Sequence, residues 1–153
     1  MRSSDFAVFL KIRHADIDPA LLTETLGIVP ECCWRAGEAK TEANEAGATR
    51  RESYWVAEVP SMPAYPALEG VPPEVKRSYA SVEGTLMFGA LLLGRRKNFW
   101  TQLQAEGASA ELIVLLGASR LSRFELPRDL LSLLSKLGLS VSIELRDVSE
   151  AAA

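Results

Sequence analysis

DFAVFLKIR, residues 5–13, is the stretch from which the fold can be read. Phe6, Val8, Leu10 and Ile12 share one face, the two-residue period of a half-buried strand. The period then changes. Asp18-Pro19 opens a helix: the Asp18 carboxylate caps free amides, and Pro19 suits the first helical position, where its missing N–H had no partner. Leu21, Leu22 and Leu26 form an apolar face, and Gly27 ends the helix as a left-handed cap.

The same order returns near the carboxyl end. ELIVLLGA, residues 111–118, is a continuous apolar run, read as a strand buried on both faces or nearly so. Leu126-Pro127 opens a second leucine-rich helix, with Leu130, Leu131, Leu133, Leu134 and Leu137 turned inward. Gly138 closes it. LSVSIEL, residues 139–145, alternates, so one face is expected buried and one wet. Each copy is strand, helix, strand. Between them, SYWVAEV at 53–59 reads as another strand. Residues 81–107 form the main helical region, broken at Gly94 and Arg95-Arg96-Lys97-Asn98 into two pieces. Gly84, Gly89 and Gly94 read as places of close helix approach or kinking.

These elements predict an α+β domain. The expected sheet has four or five strands, mostly antiparallel, with helices on one face, ferredoxin-like or a pseudo-duplicated variant of it. One domain is expected over 1–148, with a tail at 149–153. Residues 38–52 are small and polar and read as a mobile surface loop. Residues 60–80 hold Pro60, Pro63, Pro66, Pro72 and Pro73, which bar a central strand or a helix there and predict a second surface loop.

The 153 residues are 48% hydrophobic and 24% charged, ordinary for a globular protein able to bury a core without staples. A net charge of −3 gives no electrostatic case for nucleic acid. The amino terminus lacks a signal-peptide pattern, and the longest apolar stretch, 86–93, is too short to span a bilayer. Cys32 and Cys33 are adjacent, with no CxxC spacing. The expected setting is the cytoplasm, with no membrane or nucleic-acid partner.

Catalytic chemistry is sparse. His14 is the one histidine, so multi-histidine metal sites are implausible, and a nucleophile–histidine–acid triad would have to use it. It reads as an exposed turn residue, the alternative being a general base oriented by Asp16. No GxSxG, GxxxxGK[ST] or GxGxxG pattern occurs. Cys32 and Cys33 read as small semi-buried hydrophobes, the alternative being a redox-sensitive cysteine with its thiol pKa lowered by nearby Arg35. No catalytic residue, metal site or cofactor is assigned. The best binding candidates are Trp34, Arg35, Glu38 and Trp55, with Tyr54 beside them: aromatic walls plus one cation and one acid. Glu38 is a candidate partner for the Trp34 indole N–H. Arg95, Arg96 and Lys97, beside Phe99 and Trp100, form a possible anion or partner patch, against the simpler reading of a solvated helix end.

FAVFLKI, Asp18-Pro19, Leu26-Gly27-Ile28-x-Pro30, Trp34-x-x-Gly37-Glu38, Trp55 and the closing LGLSVSIEL together resemble a bacterial family known as domain of unknown function 4279. The likeness spans most of the chain; the Cys32-Cys33 pair and the proline-rich connector are not features of the family. The resemblance implies a small cytoplasmic α+β protein and carries over no catalytic residue.

The functional expectation is a binding or interaction module, immunity-like or regulatory, that acts on a protein partner or on a second copy of itself. One alternative is a small-molecule sensor or enzyme using the Trp34/Glu38 pocket, which requires a closed concavity with Glu38 pointing in. Another is a structural homodimer joined through an exposed edge strand.

Overall fold

The structure, a computed structural model, describes residues 6–40, 47–63, 80–117 and 124–146. The tail at 149–153, the middle of the 60–80 loop and the centre of the 38–52 loop lie outside the described residues. In chain order the elements are β1 (Phe6–His14), α1 (Pro19–Leu26), β2 (Cys32–Trp34), β3 (Ser53–Val59), β4 (Met62–Pro63) and β5 (Ala80–Ser81). There follow α2 (Val82–Gly94), α3 (Lys97–Ala105), β6 (Ser109–Gly117), α4 (Arg128–Leu137) and β7 (Ser140–Arg146).

Five strands form one sheet in the order β2-β3-β1-β6-β7. β1 is central and runs antiparallel to both neighbours, with Leu10 opposite Ala57 on one side and Leu112 on the other. β2 is antiparallel to β3. β7 is parallel to β6. The sheet is therefore mixed, which corrects the expectation of a mostly antiparallel one. The cause is α4, which returns the chain to the end of the sheet where β6 began, so the next strand can only run the same way. β4 and β5 pair separately, Met62 opposite Ser81.

One face of the sheet is sealed. Phe6, Val8, Leu10 and Ile12 of β1 join Trp55, Ala57 and Val59 of β3 and Ala110, Leu112, Val114 and Leu116 of β6 in a core with apolar residues of all four helices. Leu22 and Leu26 come from α1, Leu86 and Leu93 from α2, Trp100 from α3 and Leu130 from α4. Helix α2 sits closest. A Cβ on Gly89 would fall 2.9 Å from the Leu112 side chain and 3.3 Å from that of Val59. Gly89 is thus a close-approach glycine, and α2 ends at Gly94, with Arg95 and Arg96 separating it from α3.

The other face is half-open. Ala7, Phe9, Val56, Ile113 and Leu115 are only partly buried there. Lys11 pairs with Glu111 at 3.8 Å, and the Ser142 hydroxyl donates to Glu111 at 3.0 Å. β6 accordingly alternates between a sealed and a half-open face, and is not buried on both. β7 departs further from its reading. It lies at the sheet edge, and Ile143 and Leu145 are 48% and 76% exposed although they share a face with the core. Leu131 also points outward, while Leu130, Leu134 and Leu137 are buried.

Two tryptophans tie helices down. Trp55, fully buried, donates its indole N–H to the Thr23 hydroxyl of α1 at 3.1 Å. Trp100 donates to the Leu137 carbonyl at the end of α4 at 2.8 Å, and Gln104 Nε2 donates to the same oxygen at 2.9 Å. Both α1 and α4 end on a left-handed glycine, Gly27 at φ 73° and Gly138 at φ 67°.

Candidate functional site

The site begins at the Asp18 cap. Its carboxylate accepts the Ala20 N–H at 3.0 Å and fixes the first turn of α1. Because α1 packs over β3, this turn overhangs the edge strand β2. The step between them is an open cleft of about 470 Å³, lined by Asp18, Pro19, Ala20, Thr23, Glu24, Cys33, Trp34 and Glu38. Three carboxylates rim it, over largely apolar walls.

Glu38 is held by a short backbone ladder. Gly37 N–H donates to the Arg50 carbonyl at 2.9 Å, Arg50 N–H to the Glu38 carbonyl at 2.8 Å, and Lys40 N–H to the Ala48 carbonyl at 2.9 Å. The described ends of the 38–52 loop are thus paired, with Ala39 bridged to Thr49. Gly37 adopts φ 90°, a conformation that favours glycine.

Trp34 stacks on Tyr54, with centroids 4.4 Å apart and planes 14° from parallel. The Arg50 guanidinium lies 3.9 Å from the Trp34 centroid, a cation–π contact. Lys11 Nζ stands 5.9 Å from the Tyr54 ring. Among the described residues no hydrogen bond joins the Trp34 indole to Glu38. Arg50 is the partner that sequence reasoning missed, because it sits across a loop whose ladder was not foreseen.

Of the four binding candidates, Trp34 and Glu38 line the cleft. Arg35 sits at its margin, donating to the Asp16 carbonyl at 3.3 Å and lying 3.8 Å from the Asp18 carboxylate. Trp55 is sealed behind α1 and does not reach the cleft. Asp18, Glu24 and Cys33 complete the lining. The Asp18-Pro19 capping signal placed Asp18 here, but nothing local in the sequence gave the approach of α1 to β2.

The thiols differ from their reading. Both cysteines are free and exposed. Partial burial pushes the Cys33 thiol up from its ordinary value, and the negative ends of Cys32, Glu38 and Asp18 push the same way. The alternative of a thiol lowered by Arg35 finds no support, since that guanidinium is turned to Asp16 and Asp18.

His14 is buried at 5% exposure, which corrects its reading as an exposed turn residue. β1 runs one residue past Arg13, so His14 takes the inward position opposite Ser53. Its Nδ1 accepts the N–H groups of Asp16 and Ile17 at 3.0 and 2.9 Å. That places the ring proton on Nε2, which donates to Glu106 at 2.8 Å. The Asp16 carboxylate, 3.4 Å from Nδ1, finds that lone pair already engaged and does not orient a base. Both ring nitrogens are spent on holding the turn after β1 and on joining it to the end of α3.

Arg95, Arg96 and Lys97 are exposed at the α2–α3 junction. Arg96 Nε donates to the Thr25 carbonyl at 3.3 Å, placing a cation at the carboxyl end of α1. Among the described residues no group of three histidine, cysteine or acidic side chains is arranged to hold a metal. No helix among them is long and apolar enough to cross a membrane.

The molecule is thus an α+β protein whose mixed five-stranded sheet carries helices on one face and an acidic cleft at one edge. Residues 4–72 match the model of the family described as domain of unknown function (DUF4279). This bears out the resemblance over β1, α1, β2 and β3, and every cleft residue falls inside it. The closing LGLSVSIEL and the Arg95-Arg96-Lys97 patch lie beyond the matched stretch. No curated protein and no solved structure matches the chain.

Proposed function

We propose that the chain is a non-catalytic interaction module whose cleft between α1 and β2 takes a basic side chain of a protein partner. The observation that carries this reading is the lining: Asp18, Glu24 and Glu38 surround apolar surface from Pro19, Ala20 and Trp34. A lysine or arginine lays its methylene stem on such walls while its charge meets the carboxylates. The cleft is open, which suits a partner's side chain better than an enclosed small molecule. His14 is engaged at both nitrogens and the Cys33 thiol is raised, so neither supports the alternative of an enzyme. Two free, exposed cysteines suit a reducing cytoplasm in a bacterial cell.

The order β2-β3-β1-β6, antiparallel throughout and reached, with the separate β4–β5 pair set aside, in strand–helix–strand–strand–two helices–strand succession, supports the ferredoxin-like reading of these four strands, with β7 added. A regulatory or immunity-like role, masking a basic surface of a partner, fits this use of the cleft. Titration of the labelled protein with lysine-rich amphipathic peptides tests it by NMR. The expected result is shift changes confined to residues 18–24 and 33–38, weakening with salt and with Glu38→Lys. Equal binding of acidic peptides, or indifference to Glu38→Lys, overturns it.

A further inference from the structure

The sheet has two edges, and they are built differently. β2 is three residues long and passes into a laddered loop, a short edge of the kind that resists foreign pairing. β7 runs from Ser140 to Arg146 with no proline, no lysine and no interruption of its register against β6. Its outer rim of backbone groups is open among the described strands. Ile143 and Leu145 stand beside that rim at 48% and 76% exposure, on the face that β1, β3 and β6 bury in the core. A long edge with one apolar face and an unbroken register is a template for another strand.

We propose that β7 pairs antiparallel with β7 of a second copy of this chain about a two-fold axis at Ile143, making one sheet continuous across the dimer. The strand's own pattern selects the occupant. In that register Ile143 faces itself, and Val141 faces Leu145 of the second copy. On the opposite face Ser142 meets Glu144 and Ser140 meets Arg146. Apolar residues thus meet apolar ones, and no like charges stand directly opposed. Moving the axis to Leu145 leaves only residues 144–146 with partners inside the strand, and moving it to Val141 leaves only 140–142. Moving it to Ser142 leaves Leu145 and Arg146 without partners, and moving it to Glu144 leaves Ser140 and Val141 without partners and sets Glu144 against itself. The Ile143 axis alone pairs the whole strand. It is isologous, so it closes at two copies. The proposal is independent of the cleft, which lies at the other edge.

Sedimentation equilibrium of the full chain tests it. The wild type is expected to dimerise. Ile143→Lys and Ile143→Glu, each at an exposed position, are expected to weaken self-association by roughly tenfold or more, because each sets like charges face to face. Mixed in equal amounts, they are expected to recover the dimer, since lysine then faces glutamate, a signature only a self-opposed residue gives. Leu145→Lys, facing Val141, is expected to weaken the dimer without forming one with Ile143→Lys. Circular dichroism checks that each variant is folded. A wild type that stays monomeric, variants that dimerise as well as the wild type, or a lysine–glutamate mixture that stays monomeric each overturns the proposal.

Discussion

The two strand–helix–strand units, β1-α1-β2 and β6-α4-β7, start from nearly the same text and end differently. Each helix is closed by a left-handed glycine between apolar neighbours, Leu26-Gly27-Ile28 and Leu137-Gly138-Leu139. Each helix is held by the indole N–H of a buried tryptophan. Yet β7 lies directly beside β6, while β2 lies beyond β3, parallel to β1 but not bonded to it. The connection explains the difference. After Gly138 the chain enters β7 almost at once, one strand spacing of about 4.8 Å from β6. After Gly27 it spends Ile28, Val29, Pro30 and Glu31, enough to reach a second spacing and leave room for β3. Local signals set the caps; connection length sets the topology.

Truncating the tethers is the hardest test of the likeness between the units. Trp55→Ala and Trp100→Ala each empty a sealed site and are expected to cost about 3–5 kcal/mol, measured as a fall in the urea midpoint at unchanged slope. A loss confined to one of them would break the equivalence. The caps separate the units more finely. Gly27→Ala meets no atom within 4 Å and carries only left-handed strain, about 1 kcal/mol. Gly138→Ala carries the same strain and also drives a Cβ to 2.7 Å from Gln104 Nε2, which bonds the Leu137 carbonyl. Its loss is expected to be the larger, and Gln104→Ala in the same chain should bring it down toward the Gly27 value.

At their starts the helices differ outright. Asp18→Ala is expected to cost about 1 kcal/mol by thermal unfolding, whereas α4 has no side-chain cap at Pro127 to lose. The smallest effect is in the cleft, which only the first unit has. In a Cys32→Ser background, Cys33 is expected to alkylate more slowly folded than unfolded, with the gap closing as pH rises past the raised thiol value. The sign follows from the shift: the folded chain holds the Cys33 proton more tightly, so this group's contribution to stability falls as pH climbs from the ordinary thiol range. Faster labelling in the folded state would reverse the direction.

Much of this was legible where a residue's role is local. Asp18, Pro19, Gly27, Gly138, the face of β1 and the break at Arg95-Arg96 all act on their own neighbours. What escaped depends on distant partners. His14 looked like a loop residue because its ligand Glu106 is 92 positions away. Trp55 looked available because the sequence does not show that Thr23 and α1 cover it. The alternation of LSVSIEL promised a buried face, but alternation says only that one face is apolar, and at the end of a sheet that face meets solvent. Trp34 and Glu38 were found because their types are unusual in a turn. Arg50 was not, because its cation–π contact depends on the fold of its loop.

The central place of β1 bears on how far the family stretch can stand by itself. Residues 4–72 end before α2, α3 and β6, so a fragment cut there keeps β3 on one flank of β1 and strips the other. Val8, Leu10 and Ile12 would lose the lid that α2 provides. The matched stretch is therefore not a cooperative folding unit by itself, and an excised amino-terminal piece is expected to aggregate unless the remainder is supplied in trans.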